Sequence, residues 1–172
     1  MHGKDMVFAL DGGIYVAGSV ITWMKDKMHL ISDAKETGEL AESVPDTAGV
    51  CFVPALTGLA APYWDPYARG MLIGITPGTE RAHVVRAALE SIAYQVRDIL
   101  DLMEMDSGIR IRAMRVDGGI TANEFLMQFQ ADILGIPVDV PEISETTALG
   151  VAYMAAYGSG LFKDLDEIEA NW

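Results

Sequence analysis

Residues Met114–Gly135 read MRVDGGITANEFLMQFQADILG, and the order of residue types in this stretch decides the fold. Ile111, Ala113, Met114 and Val116 form the end of an apolar strand, and Asp117-Gly118-Gly119 supplies a tight turn. Thr121 and Glu124 have the T-x-x-E spacing of a capping box, which predicts a helix start. Phe125, Phe129 and Ile133 then recur on one helical face, and Gly135 with Pro137 ends the helix. Strand, glycine turn and open helix N-terminus together present bare N–H groups to a ligand that needs close backbone approach.

Working outward, Ile109–Val116 is the strand before this turn and Ile136–Val140, ended by Pro141, is the strand after the helix. Upstream, Thr79 is placed to cap a helix over about Glu80–Met105, with Val85, Leu89, Ile92, Val96, Ile99 and Met103 as its core stripe. Downstream, Ser144 or Thr146 is placed to cap a helix running to about Tyr157. Its Ala148, Gly150, Ala152, Ala155 and Ala156 would let it lie close to a neighbouring backbone. Strands alternating with helices predict α/β layering with part of the sheet parallel.

The first half is less regular. Met6–Leu10 reads as a strand, Asp11-Gly12-Gly13 as a turn, and Val16–His29 as a helix with Val16, Val20, Trp23, Met24 and Met28 on one face. DGGI therefore occurs twice, at Asp11–Ile14 and Asp117–Ile120, and four residues are too few to distinguish a repeat from reuse of a good turn. Ile31–Thr47 is polar and acidic and reads as a helical or irregular surface segment with Pro45 near its end. Gly49–Ala55 and Met71–Ile75 read as short strands. Between them Thr57–Gly70, TGLAAPYWDPYARG, reads as a packed and shaped loop, with Trp64 and Tyr67 as packing groups; Asp65 and Arg69 could act on a polar substrate, but a Pro-flanked aspartate is more often a turn-former. Phe162–Trp172 reads as the start of another helix. The abrupt beginning and end of the sequence lead us to expect a piece of a longer protein.

Composition sets outer limits. The chain has 172 residues, 51% of them hydrophobic, and a net charge of −13 from 12 basic and 25 acidic residues. That balance argues against a nucleic-acid partner, which would need a Lys/Arg surface. The single cysteine, Cys51, cannot form an internal disulfide and lies in an apolar run, where it reads as a small buried hydrophobe in a reducing compartment. No signal peptide is read at Met1–Lys4. Ala148–Phe162 is too short and too glycine-broken for a membrane span, so the expectation is a cytoplasmic protein without integral membrane contact.

Several chemical signatures are missing. There is no G-x-x-x-x-G-K-[ST] loop, no G-x-G-x-x-G after a strand, no H-E-x-x-H, no paired cysteines and no G-x-S-x-G elbow. His2, His29 and His83 are isolated, so no protein-only metal site is expected. Two readings of the glycine turn stand side by side. In one, a nucleotide approaches Gly118-Gly119 and Asn123 offers hydrogen bonds; in the other, the turn is only a tight strand–helix connection.

A resemblance adds to these readings. PALTGLAAPYWDPYARG is followed by Gly70-x-Leu72-x-Gly74-Ile75, then seven residues, then His83-Val84-x-x-Ala87-Ala88-Leu89-Glu90. RVDGG-x-x-x-N at Arg115–Asn123, TTALGVAY at Thr146–Tyr153 and FALDGGIYVAGSVITWMKD at Phe8–Asp26 complete the pattern. In these motifs the chain resembles the FGGY family of carbohydrate kinases, and among them the glycerol kinases. The resemblance implies an α/β chain that is part of an actin-like, ribonuclease-H-like ATPase domain. Residues 1–172 would be a single incomplete domain, the nucleotide-side portion of the FGGY C-terminal domain, without the N-terminal domain.

It also implies ATP with Mg²⁺ as cosubstrate, glycerol as acceptor, and a homo-oligomer. Gly18, Ile21 and Thr22 match the family's nucleotide contacts, with Thr22 standing where the family carries glutamine; Gly119 and Asn123 match its adenosine contacts. The family's catalytic aspartate, in a G-D motif, and its T-G-T-G phosphate loop match nothing in this sequence, so no catalytic residue is assigned and the chain alone is expected to be inactive. Alternatives are a non-catalytic nucleotide-binding or assembly module of the same fold, or a family kinase with another polyol or sugar acceptor.

Overall fold

The computed structural model describes residues 8–143 and 145–170. Its centre is helix α3, Arg81–Ser107. Its 27 residues span about 40 Å at 1.5 Å per residue. Of the expected stripe Val85, Leu89, Ile92 and Ile99 are buried while Val96 and Met103 are half-buried. Val85, Leu89 and Ile92, joined by Ala88 and Ala93, meet Val16, Val20 and Met24 from the first helical segment and Leu126 from a later one. Burying such a stripe is what stabilises an amphipathic helix in water. Thr79 is not the cap. Its Oγ1 accepts from Thr76 N at 2.9 Å and closes the preceding turn. Glu80 caps α3 in a reciprocal pair, its side chain accepting from the His83 backbone while His83 Nδ1 accepts from Glu80 N at 3.0 Å.

Around α3 lie α1 (Gly18–Asp26), α2 (Glu36–Glu42) and α4 (Glu124–Leu134). The sequence expectation made 31–47 a surface segment; the structure corrects this, because Thr37 and Ala41 of α2 are fully buried and Ile31 is nearly so. Their spacing of four places both on one inner face, and Leu40 beside them packs against the core.

Two small sheets complete the layers. Strands β1 (Cys51–Val53) and β2 (Met71–Ile73) pair antiparallel, with Phe52 opposite Leu72. Strands β3 (Met114–Arg115) and β4 (Val138–Asp139) pair parallel, with α4 as the crossover between them. The expected parallel βαβ unit is therefore present, with strands much shorter than the apolar runs that signalled them. Cys51 is exposed, contrary to expectation. Successive strand residues face opposite sides, so Phe52 packs on Trp23, ring centroids 5.9 Å apart, while Cys51 takes the uncovered face.

The end of the chain carries α5 (Thr146–Gly158) and α6 (Leu165–Glu169). None of the α5 residues is buried, so the close packing expected of its small residues has no counterpart among the described residues. Of its two expected caps, Ser144 lies outside the described residues and Thr146 is already the first helical residue, its hydroxyl donating to the Asp117 carboxylate. The expected first strand lies partly outside the described residues, and Phe8–Leu10 have no regular structure.

The loop between β1 and β2 is shaped as expected but faces outward. Asp65 accepts from Tyr67 N at 2.8 Å and Ala68 N at 3.1 Å, and Arg69 donates to the Pro66 and Ala68 carbonyls. Trp64 and Tyr67, expected to pack, are 69% and 84% exposed. Among the described residues no helix is long and apolar enough to cross a membrane.

Candidate functional site

The glycine turn opens differently from the capping-box reading. Gly118 takes a positive φ of 87°, which Gly alone adopts without strain, and a 3₁₀ turn, Gly119–Ala122, follows before α4 begins. That turn displaces the helix start, so Thr121 and Glu124 do not form a box. Thr121 Oγ1 donates to Gly118 O at 2.7 Å, closing the turn, and Glu124 is the first helical residue. The cap is Asn123, whose Oδ1 accepts from Leu126 N at 3.0 Å. This acceptor role fixes the orientation of its amide, leaving Nδ2 to donate to Thr37 Oγ1 of α2 at 2.9 Å. Thr37 in turn donates to Ala34 O at 2.6 Å. One side chain thus starts α4 and ties it to α2, and the hydroxyl it meets is itself satisfied.

Helix α4 also turns differently from its sequence reading. Leu126, Gln130 and Leu134 form its most buried row, while Phe125, Phe129 and Ile133 are only half-buried beside it. The two rings stack, centroids 6.0 Å apart, and Tyr94 of α3 meets Phe129 edge-on at 5.7 Å. Burial, together with the Glu90 carboxylate next to it, holds the Tyr94 phenol above its usual pKa.

A cavity of about 520 Å³ lies where these N-terminal ends meet. The first two turns of α1 supply Gly18, Ile21 and Thr22, α2 and its lead-in supply Asp33–Lys35, Thr37, Gly38, Glu39 and Glu42, and the 3₁₀ turn with the start of α4 supplies Gly119, Ile120 and Ala122–Phe125. All five residues singled out from sequence, Gly18, Ile21, Thr22, Gly119 and Asn123, therefore line one space, although about a hundred positions separate the two groups. Sequence reasoning missed the α2 wall; its one available signal was the small pair Thr37-Gly38 inside an acidic run. Gly38 packs directly on Asn123, where an added Cβ would lie 3.4 Å from Oδ1.

Two glycines at the cavity have no conformational reason to be glycine. Gly18 and Gly119 have ordinary φ values, and a Cβ on either would meet no protein atom within 4 Å. Their lack of a side chain keeps space open at the start of α1 and at the start of the 3₁₀ turn. Nothing caps α1 with a side chain and no acidic residue occupies its first turn; Val20 N donates to Ala17 O at 3.0 Å, which leaves the N–H groups of Gly18 and Ser19 without a side-chain cap. Elsewhere the rim is acidic, with Asp33, Glu39, Glu42 and Glu124 against one ammonium, Lys35. Apolar walls from Ile21, Ile120 and Phe125 with such a rim suit an uncharged ring system better than a cluster of phosphates. Among the described residues no three His, Cys, Asp or Glu side chains are grouped to hold a metal ion.

The second glycine pair, Gly12-Gly13, does different work. A Cβ at Gly12 would lie 2.8 Å from Ile99 and Met103, so this turn is tight packing against α3, away from the cavity.

The family model for the FGGY family of carbohydrate kinases, C-terminal domain, matches residues 2–159. The chain belongs to that family. Relatives include glycerol kinase 2 of Thermotoga maritima, 56% identical over all 172 residues, and the glycerol kinase of Alkaliphilus oremlandii, 55% identical over 165. The alignments cover 34% and 33% of those proteins, so the FGGY chain spans about a third of the length of the curated relatives it matches. Among solved structures, a Plasmodium falciparum glycerol kinase with ADP superposes with a TM-score of 0.80 at 40% identity, covering 89% of this chain and 30% of that one. A xylulose kinase of Lactobacillus acidophilus superposes at 0.75 with 26% identity, covering 91% and 32%. The fold is thus that of the FGGY C-terminal domain, part of an actin-like, ribonuclease-H-like ATPase domain.

Proposed function

We propose that this chain is the adenosine-side portion of a glycerol kinase, which transfers the γ-phosphoryl group of ATP to glycerol to give ADP and glycerol 3-phosphate. The observation that carries the reading is the pair Gly18 and Gly119. Two glycines that the backbone does not require face one cavity, at the ends of two separate elements, beside the apolar walls of Ile21, Ile120 and Phe125. This fits a flat, uncharged ring held by close backbone approach. The glycerol kinase names of its relatives and the ADP of one solved neighbour support the same assignment.

The residues present fit the adenosine moiety and not the reacting end. Their acidic rim disfavours phosphate oxygens, and no grouped carboxylates offer a Mg²⁺ site among the described residues. Mg²⁺ would neutralise charge on the phosphates it arrives with. What this chain's own side chains do is bind and orient. Asn123 holds the start of α4 against α2, Gly119 leaves room for the ligand, and Ile21 and Phe125 exclude water. The catalytic base and phosphate loop would lie outside the chain, and so would the polyol contacts. A homo-oligomer in the cytoplasm, where ATP is supplied, belongs to the same reading.

Isothermal titration of ADP and ATP into the 172-residue chain, with a glycerol phosphorylation assay on the same sample, tests it. The expected result is nucleotide binding without turnover, with phosphorylation appearing once the remaining two-thirds of a full-length relative is supplied in trans. Turnover by the chain alone would overturn the assignment of chemistry to other residues, and failure to bind either nucleotide would leave the cavity without its ligand.

A further inference from the structure

Three arginines on α3 donate to backbone carbonyls of neighbouring segments. Two meet the C-terminal end of a helix: Arg86 reaches Ala41 O at 3.1 Å and Val44 O at 2.6 Å, at the end of α2, and Arg97 reaches Ile133 O at 3.0 Å and Leu134 O at 3.5 Å, at the end of α4. Arg81 donates to Leu30 O at 3.3 Å, in the connection between α1 and α2. Cationic donors suit the two helix ends because the last carbonyls of a helix have no intrahelical partner and carry its negative end. The first turns of α1, the start of α4 and the length of α2 from Thr37 to Glu42 line the cavity. One long helix therefore holds the C-terminal ends of α2 and α4, two elements that form the site.

Arg86 differs from the other two because it also touches a cavity wall. Its guanidinium carbon lies 5.0 Å from the centre of the Phe125 ring. Its Nε pairs with Glu90 Oε1 at 2.8 Å, in surroundings that leave the two side chains only 16% and 11% exposed. Tyr94 donates to the other Glu90 oxygen at 3.4 Å and meets Phe129, which stacks on Phe125. The contacts close into a ring, from α2 carbonyls through Arg86 and Glu90 to Tyr94, Phe129 and Phe125, then back to Arg86.

We infer that Arg86 is a positioning residue for the nucleotide cavity: held by Glu90, it fixes the end of α2 and the Phe125 ring to α3 and so sets the spacing of two cavity walls. This rests on the nucleotide reading above. Arg86 touches the wall but does not line the cavity, so it acts through Phe125 and through the α2 residues Glu39 and Glu42. Lysine at this position could keep the Glu90 pair, but one compact ammonium cannot also span two carbonyls and lie flat over a ring.

Arg97 provides an internal control. It caps a helix end with the same group and pairs with Asp101 at 2.8 Å, but it lies away from the cavity lining. The experiment measures ADP affinity of the folded chain by titration, and hydrogen exchange of the amides of residues 40–44, for the parent, Arg86→Met, Arg86→Lys, Glu90→Gln and Arg97→Met. All are compared at a temperature where circular dichroism shows each variant folded. Because small displacements of positioning groups are costly, Arg86→Met is expected to weaken ADP binding by about tenfold or more. It should also speed exchange at the end of α2, with Glu90→Gln and Arg86→Lys intermediate and Arg97→Met unchanged on both readouts. Equal affinity in Arg86→Met and Arg97→Met would overturn the positioning role and reduce Arg86 to a stabilising contact. No ADP binding by the parent chain would overturn the nucleotide reading and this role with it. Faster exchange in Arg86→Met would still establish the mechanical clamp, which separates the two failures.

Discussion

Gly118 and Gly119 are neighbours with opposite requirements, and the difference can be measured. Gly118 sits at φ 87°, so Gly118→Ala strains the backbone itself, at a cost of about 1–3 kcal/mol. Gly119 has an ordinary φ and open space where a Cβ would stand. Gly119→Val is expected to change unfolding free energy by less than about 1 kcal/mol while weakening ADP binding at least about tenfold, or about 1.4 kcal/mol. Urea denaturation and calorimetry on the two variants read the two quantities separately; a large stability loss in Gly119→Val would show that the fold, and not the ligand, requires glycine there. Asn123 shows a different division of labour. Sequence pattern marked it as a ligand-facing polar group, whereas its contacts in the fold are the α4 cap and the bond to Thr37. An asparagine amide has two N–H donors and two acceptor lone pairs, so those two bonds leave capacity toward the cavity.

At the scale of elements, the α2–α4 seam depends on a buried hydroxyl. Thr37→Val keeps the side-chain shape but removes the acceptor for Asn123 Nδ2 and the donor to Ala34 O. The expected cost is about 1–3 kcal/mol, the penalty for stranding buried polar groups. Ser43→Ala, which removes an exposed bond to Leu40 O, serves as reference and should stay within about 0.5 kcal/mol. Equal denaturation midpoints for the two variants would show that the seam does not depend on this bond. The seam also shows what the sequence could and could not disclose. Helix α3 was legible because six apolar residues at helical spacing over a long run have no competing explanation. The strand–turn–helix order at Met114–Gly135 was legible for the same reason. Helix α2 was not recognised as a core element because Thr37 and Ala41 are small and Leu40 is the one large apolar residue in its seven. The cap of α4 was misplaced because Thr121 and Glu124 match a box whose register the intervening 3₁₀ turn breaks. Trp64 and Tyr67 were misjudged because aromatic bulk signals burial only where another element arrives to cover it, and none among the described residues does so.

For the whole molecule, the site residues were named from matched motifs, but their convergence could not be derived from spacing, since it needs α1, α2 and α4 to be arranged around α3. That arrangement has a consequence for the order in which the protein can form. Synthesis proceeds from the N-terminus, so Val16, Val20, Met24 and Ala41 emerge well before Val85, Leu89 and Ile92, the residues that bury them. The arginines that hold the α1–α2 connection and the end of α2 arrive with that same helix. Until then the two early helices lack the main apolar surface that buries them, with Phe52 on Trp23 as one earlier contact, and isolated helices this short are marginal in water. A chain ending at Gly78 is therefore expected to be cut readily by protease under conditions in which a chain ending at Gly135 resists, as limited digestion would reveal; equal resistance would mean that the first half acquires structure without α3. The cavity wall at Gly18 is thus translated early and completed late, and its assembly is timed by the helix that holds it.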